Sequence, residues 1–329
     1  MSSILSYSLI FKNLKKPLAN LSKNYILRLQ LSTQEIQIPL KYGYISGKLW
    51  GSSDKRPILA LHGWQDNAGT WDALAPMLIK DRSILAIDFP GHGLSSWIPD
   101  GMMYCDWEWI KVILYIKQYF KWDKVSLLSH SMGSLAARRY SGLFPDDVDL
   151  YIGIDILVYG YLYENLDKVM DMYPTLIQKA AISQTRLKNE PPLYTLNEIT
   201  KIKYFGSNKS VALKRIPYLL ERGIKQSEHN PTKYYFTRDP RTKYILFANE
   251  RNEFIENLIK RLKCPTLFIK ATDSPYENDK SSAELQNKLQ KNNEKYESHT
   301  VLGTHHVHLN DPEKVAPLIL NFLNKYMKR

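Results

Sequence analysis

Hydrophobic positions along this chain change their period at definite places. EIQIPL and YISGKLWG each alternate apolar and polar residues, the period of a half-buried strand, and predict an antiparallel hairpin turning near Lys41–Gly43. PILALHG (57–63), SILAIDFPGHG (83–93), KVSLLSHS (124–131) and VDLYIGIDIL (148–157) are instead short continuous apolar runs. Such runs suit strands buried on both faces. Between them TWDALAPMLIK (70–80), DWEWIKVILYIKQYF (106–120) and MGSLAARRYSGLF (132–144) have helical spacing. Strand and helix therefore alternate, which predicts an α/β fold with a mostly parallel sheet. In such sheets the loops at the carboxyl ends of the strands carry the chemistry.

From Val158 the alternation stops. Residues 158–262 read as helical, with turn signals at Pro191–Pro192, Gly206–Asn208 and Asp239–Pro240. The alternation then resumes with CPTLFIKA (264–271) as a strand, SSAELQNKLQK (281–291) as a helix and KYESHTVLG (295–303) as a strand. A final helix, PEKVAPLILNFLNKYM (312–327), begins with proline, as helices often do. The predicted organisation is a core of 35–157 and 263–329 interrupted by a helical insertion, 158–262, and preceded by a separate segment, 1–34.

That first segment contains no Asp or Glu, but carries Lys12, Lys15, Lys16, Lys23 and Arg28 among serines and leucines. An organellar transit peptide and a merely basic tail fit this composition equally. The C-terminal YMKR is not a Ser-Lys-Leu address. Across the chain the net charge is +12, with Lys and Arg scattered rather than gathered in a stripe interleaved with aromatics. A nucleic-acid partner is therefore not expected; contact with an acidic membrane surface is the minor alternative. The two cysteines, Cys105 and Cys264, form no metal or redox motif, which points to a reducing, intracellular compartment. Composition does not choose between cytoplasm, mitochondrion and peroxisome, nor does it give an oligomeric state.

The candidate chemistry centres on SLLSHSMGS (126–134), the junction of a buried strand with a helix. A nucleophile on such a sharp turn needs small residues two before and two after it, because strand and helix pass close together. Ser131 meets this with Ser129 and Gly133. Ser129 has Leu127 before it and Ser134 has Met132, and both neighbours are too large. A serine needs a base. Of the eight histidines, His305 reaches the same sheet edge first, two residues past Gly303. His130 is adjacent to Ser131 but points away on the turn, and reads as a packing residue. The base needs an orienting carboxylate. Asp273 follows one strand, Asp155 ends another, and Asp88 is a weaker third. Ser…Asp…His order holds for Asp273 and Asp155 alike, so order does not choose. The amides of Met132 and Trp64 are placed to receive an oxyanion, with Gly63 permitting close approach. His305, His306 and His308 cluster, but no partner Asp/His motif is evident, so neither a metal nor another cofactor is expected.

LHGWQDNAGTWD (61–72), DFPGHGLS (88–95), SHSMGS (129–134), ATDSPY (271–276) and GTHHVHLNDPEKVAP (303–317), in this order, resemble the α/β-hydrolase family from about Glu35 onward. YLLERGIKQ and YYFTRDPRTKY resemble its serine hydrolase-like branch. The resemblance implies an α/β-hydrolase fold: a mostly parallel eight-stranded sheet flanked by helices, with 158–262 as a helical lid. It implies Ser131 as nucleophile, Asp273 as acid and His305 as base, the histidine lying seven residues before Pro312. The expected reaction is cleavage of an ester or related acyl bond through an acyl-enzyme. The lid aromatics Tyr161, Tyr163, Tyr204, Phe205, Tyr234 and Tyr235 suggest a partly apolar small-molecule substrate, although packing explains them equally well. Amidases and carbon–carbon hydrolases keep a serine at the turn and stay open, as does a noncatalytic binding protein on the same fold. Dehalogenases and epoxide hydrolases place an aspartate there, which Ser131 argues against.

Overall fold

The computed structural model describes residues 33–79, 82–157, 166–185, 187, 190–245, 252–276 and 280–327. Nearly all of the basic first segment, together with Tyr161 and Tyr163, lies outside them. The hairpin forms as β1 (Thr33–Leu40) and β2 (Gly43–Trp50), with Leu40 opposite Gly43. It is followed by β3 (Ile58–Leu61), β4 (Ile84–Ile87), β5 (Val125–His130) and β6 (Val148–Ile154). Two short strands, β7 (Ile224–Gln226) and β8 (Tyr234–Phe236), pair only with each other in named strands; β9 (Thr266–Ala271) and β10 (Tyr296–Val301) return to the main sheet. Its order is β1-β2-β4-β3-β5-β6-β9-β10, antiparallel at β1–β2 and β2–β4 and parallel elsewhere. The expected eight-stranded, mostly parallel sheet is thus present.

The helices are α1 (Ala75–Leu78), α2 (Trp107–Tyr119), α3 (Met132–Leu143), α4 (Leu166–Thr185), α5 (Leu196–Gly206), α6 (Ile216–Gly223), α7 (Asn252–Lys260), α8 (Lys280–Asn292), α9 (Val307–Asn310) and α10 (Pro312–Tyr326). The continuous apolar runs are explained by helices on both sheet faces. In β3, Leu59 and Leu61 pack with Ile113 of α2 and Ala136 of α3, while Ile58 and Ala60 pack with Leu78 of α1 and Ile319 of α10. Burial of each such Leu or Ile contributes roughly 2 kcal/mol.

Three expectations are corrected. The helix read over 70–80 is split into a 3₁₀ turn at Ala68–Trp71 and the short α1, with Pro76 in the first turn of the second piece. Proline has no amide hydrogen to continue a helix but fits its first turn. The insertion is not wholly helical, since β7 and β8 form a small hairpin within it. Its last helix, α7, packs with the core instead: Ile255 and Ile259 join the cluster that holds Tyr140 of α3.

The insertion is fastened to the sheet by buried charge. Arg222 of α6 donates from Nη2 to Asp88 Oδ2 at 2.8 Å, just past β4, and from another nitrogen to Glu35. Asp88 also accepts from the amides of Ala68 and Leu94 at 2.7 and 2.8 Å. Asp88, read from sequence as a weak candidate acid, is thus committed to this anchor. Removing one partner of a buried pair leaves the other charge uncompensated. Arg222→Met is expected to destabilise the fold by about 3 kcal/mol in urea unfolding, with Arg222→Met/Asp88→Asn recovering part of that loss.

Candidate active site

β5 ends at His130 and α3 begins at Met132, so Ser131 alone makes the turn. It does so at φ 54°, ψ −121°, a strained conformation for a side chain with a Cβ. The turn is held by Ser131 N donating to the Ile154 carbonyl at 3.2 Å and by Ser134 N donating to the Ser131 carbonyl at 2.8 Å. Small neighbours are required as expected: a Cβ on Gly133 would lie 2.5 Å from the Leu61 carbonyl oxygen. Ser129 is fully buried, and its hydroxyl donates to the Ile152 carbonyl at 2.9 Å, so a polar small residue fits without an orphaned group.

β5, β6, β9 and β10 are adjacent and parallel, which brings the loops after them to one edge. His305 follows β10, and its Nε2 lies 2.9 Å from Ser131 Oγ. Its Nδ1 lies 2.5 Å from Oδ2 of Asp155, the residue directly after β6. Asp155 is fully buried and held at φ 67°, a left-handed conformation that Asp tolerates better than most side chains. Its amide donates to the Ile269 carbonyl and its Oδ1 accepts from Ala271 N, both at 2.8 Å. β9 thus fixes the carboxylate before the histidine meets it.

Asp273 does not occupy this place. It borders the same cavity, but its carboxylate is exposed and accepts from its neighbour, the Thr272 hydroxyl, at 2.9 Å. Its amide is tied to the Gly303 carbonyl at 2.8 Å. The assignment of the histidine's carboxylate partner therefore moves from Asp273 to Asp155. The physical reason is which strand end faces the imidazole, a property of the assembled sheet.

Trp64 and Met132 border the cavity with Ser131 and His305. Met132 is the first residue of α3, where backbone amides have no partner within the helix. A Cβ on Gly63 would stand 3.0 Å from Ser131 Cβ, so the backbone leading to Trp64 passes directly over the serine. Trp64 is further held by its indole donating to the Thr242 carbonyl at 2.7 Å. The cavity encloses about 490 Å³, with Met132, Leu135, Ile156, Leu176 and Ile245 among its apolar walls. Of the aromatics expected to shape it, Tyr204, Phe205, Tyr234 and Tyr235 are absent from its lining; Tyr173 and Tyr276 supply aromatic surface instead. Tyr276 packs against His305 with ring centroids 4.6 Å apart.

Beside this chain of residues stands a polar group that the sequence reading missed. Asp66 accepts from Lys203 Nζ at 2.7 Å and lies 3.0 Å from His306 Nε2. Burial alone would raise the Asp66 carboxyl, but Lys203 and His306 together hold it well below the usual range. Burial lowers the pKa of His306 against the raising effect of Asp66, and lowers those of His130 and His308 well below the usual histidine range. His130 Nε2 donates to the His305 carbonyl at 2.9 Å. It is buried, as a packing residue should be, yet it also supports the backbone of the histidine that faces Ser131. The signal for Asp66 was its position three residues after Gly63, in a block already singled out. Nothing in the linear sequence joined it to His306.

A family model for the alpha/beta hydrolase fold matches residues 56–312. The chain belongs to the α/β-hydrolase family. A protein named "Probable serine hydrolase" from Drosophila melanogaster is 35% identical, the match covering 89% of this chain and 88% of that one. A "Serine hydrolase-like protein" from Danio rerio is 32% identical, covering 89% of each. These relatives agree with the branch read from the two insertion motifs. Among solved structures, a hypothetical protein from Pseudomonas aeruginosa superposes with a TM-score of 0.72 at 25% identity, covering 90% of this chain and all of that one. Among the described residues of this α/β-hydrolase chain, no helix is long and apolar enough to cross a membrane.

The contact between His305 and Asp155 has a direct spectroscopic consequence. A short imidazole–carboxylate hydrogen bond is expected to give a far-downfield proton resonance. That signal should vanish in Asp155→Asn and persist in Asp273→Asn; the reverse outcome would restore Asp273 as the partner.

Proposed function

We propose that this chain is a serine hydrolase that cleaves carboxylic esters with an apolar acyl portion. The observation that carries the reading is the continuous line from Ser131 Oγ to His305 Nε2 at 2.9 Å and from His305 Nδ1 to Asp155 Oδ2 at 2.5 Å. The names of the two relatives point the same way.

In this reading Ser131 attacks the ester carbonyl while His305 Nε2 takes its proton. Asp155 keeps the imidazole in the Nδ1–H tautomer and stabilises the imidazolium as it forms. The amides of Trp64 and Met132 meet the negative charge that develops on the carbonyl oxygen. His305 then returns the proton to the departing alkoxide, leaving an acyl group on Ser131. A water, deprotonated by the same histidine, releases the acid. The insertion serves as the lid: Tyr173, Leu176 and Ile245 within it line the same cavity as Ser131. Their apolar surface, with Leu135 and Ile156 beneath, fits an acyl chain better than a charged one.

A fluorophosphonate probe is expected to label the wild-type chain and not Ser131→Ala. Equal labelling of both would remove Ser131 from the reaction, and no labelling of either would favour a noncatalytic role. On a series of p-nitrophenyl esters, kcat/KM should rise from acetyl to medium-chain acyl groups; turnover of amides alone would replace the ester reading. Asp155→Asn should lower kcat by about 10⁴-fold through loss of the working tautomer, whereas Asp273→Asn should leave it essentially unchanged.

A further inference from the structure

We propose that Asp66, His130 and His306 form a binding site for a zinc-class divalent cation, placed to inhibit the neighbouring serine centre. One donor atom from each of these buried residues lies within 4.8 Å of the other two. Donors around a tetrahedral zinc with bonds of ~2.0 Å stand roughly 3.3 Å apart, so a modest inward shift completes three corners. The cavity that holds Ser131 also borders all three residues and leaves room for a water as fourth ligand.

The hydrogen bonds around the two rings favour a metal beyond mere proximity. His130 uses Nε2 as donor to the His305 carbonyl, which leaves Nδ1 as the nitrogen with the free lone pair. That Nδ1 is buried and has no hydrogen-bond partner among the described residues. His306 has Nδ1 2.8 Å from Ser210 Oγ, and Ser210 Oγ can in turn donate to the Ser207 carbonyl at 2.6 Å. His306 Nε2 lies 3.0 Å from Asp66 Oδ2, and a metal that displaces the proton shared between them would take its place on both atoms. Each imidazole would then bind metal through one nitrogen while the other donates to an oxygen, the arrangement that orients metal-bound histidines in proteins generally. Lys203 remains on the other carboxylate oxygen of Asp66, so the second oxygen is the one available. Two imidazoles and one carboxylate suit zinc or cobalt better than calcium or magnesium.

The inhibitory consequence rests on the hydrolase reading above. The ring of His305 lies 4.5 Å from that of His130 and 5.1 Å from that of His306, centroid to centroid. A dication at this distance opposes the positive charge His305 must take on as Ser131 attacks, and should lower kcat/KM roughly tenfold or more.

Binding is tested apart from turnover, on the full Ser131→Ala chain titrated with cobalt(II) chloride. A visible absorption band of a low-coordinate cobalt site is expected, displaced by zinc. It should be lost in Asp66→Asn and in His306→Gln, and kept in His299→Gln, which alters a half-buried histidine on β10, away from the trio. Ser210→Ala, which spares every ligand, should weaken zinc affinity by about tenfold or more; this variant keeps the test open if the ligand variants do not fold. Absence of the band at millimolar cobalt, or its survival in the ligand variants, overturns the proposal and leaves the trio as a positioning network. A band without zinc inhibition of ester turnover by the wild-type chain keeps the site and removes its inhibitory role.

Discussion

At the end of β5 the chain passes from strand to helix in a single residue, and almost every other feature of the site is placed relative to that turn. Ser131 holds φ 54° because α3 must pack onto β3 while β5 stays in the middle of the sheet. The packing leaves no room for a Cβ at Gly133, which would meet the Leu61 carbonyl oxygen. The strain is sustained by hydrogen bonds on both sides of the serine and by two apolar clusters that cover the faces of the sheet. A strained residue persists only where its surroundings over-determine it, and the centre of a sheet buried on both faces provides such surroundings.

The choice of carboxylate follows from the same architecture. Asp155 and Asp273 both stand at carboxyl ends of parallel strands. Asp155 ends the strand beside β5, and its neighbour on the other side, β9, supplies an amide to one of its oxygens. The remaining oxygen is thereby aimed at His305. Asp273 follows β9, one strand further out, and turns toward Thr272 and solvent. A carboxylate fixed by the backbone before it meets the imidazole gives a defined orientation, whereas an exposed one on a loop would have to be ordered by the histidine itself.

Around this line the protein gathers an unusual number of imidazoles. His130, His305, His306 and His308 lie with neighbouring ring centroids 4.1 to 5.1 Å apart. Burial disfavours the charged form of His130, His306 and His308, and the rings add polarity and hydrogen-bonding capacity beside His305. Asp66, drawn in by Lys203 from the insertion, is the countercharge beside them. The insertion is therefore bound to the core at two charged points, Asp66 in the turn after β3 and Asp88 directly after β4.

The sequence by itself determined the strand–helix alternation and the hairpin, and singled out Ser131 and His305, which the fold brings into contact. Each depends on local pattern: continuous apolar runs, a small-residue frame around Ser131, and the first histidine after a strand-ending glycine. It marked 158–262 by the break in the alternation, but did not show the hairpin within that span or the core packing of α7, because short strands and amphipathic helices look the same whichever surface they meet. The tertiary structure alone decided between Asp155 and Asp273, joined Asp66 to His130 and His306, and gave Arg222 its partner in Asp88. These are contacts between residues far apart in the chain. Periodicity fixes which face of an element is buried, but only the order of strands in the assembled sheet fixes which loop ends meet across it.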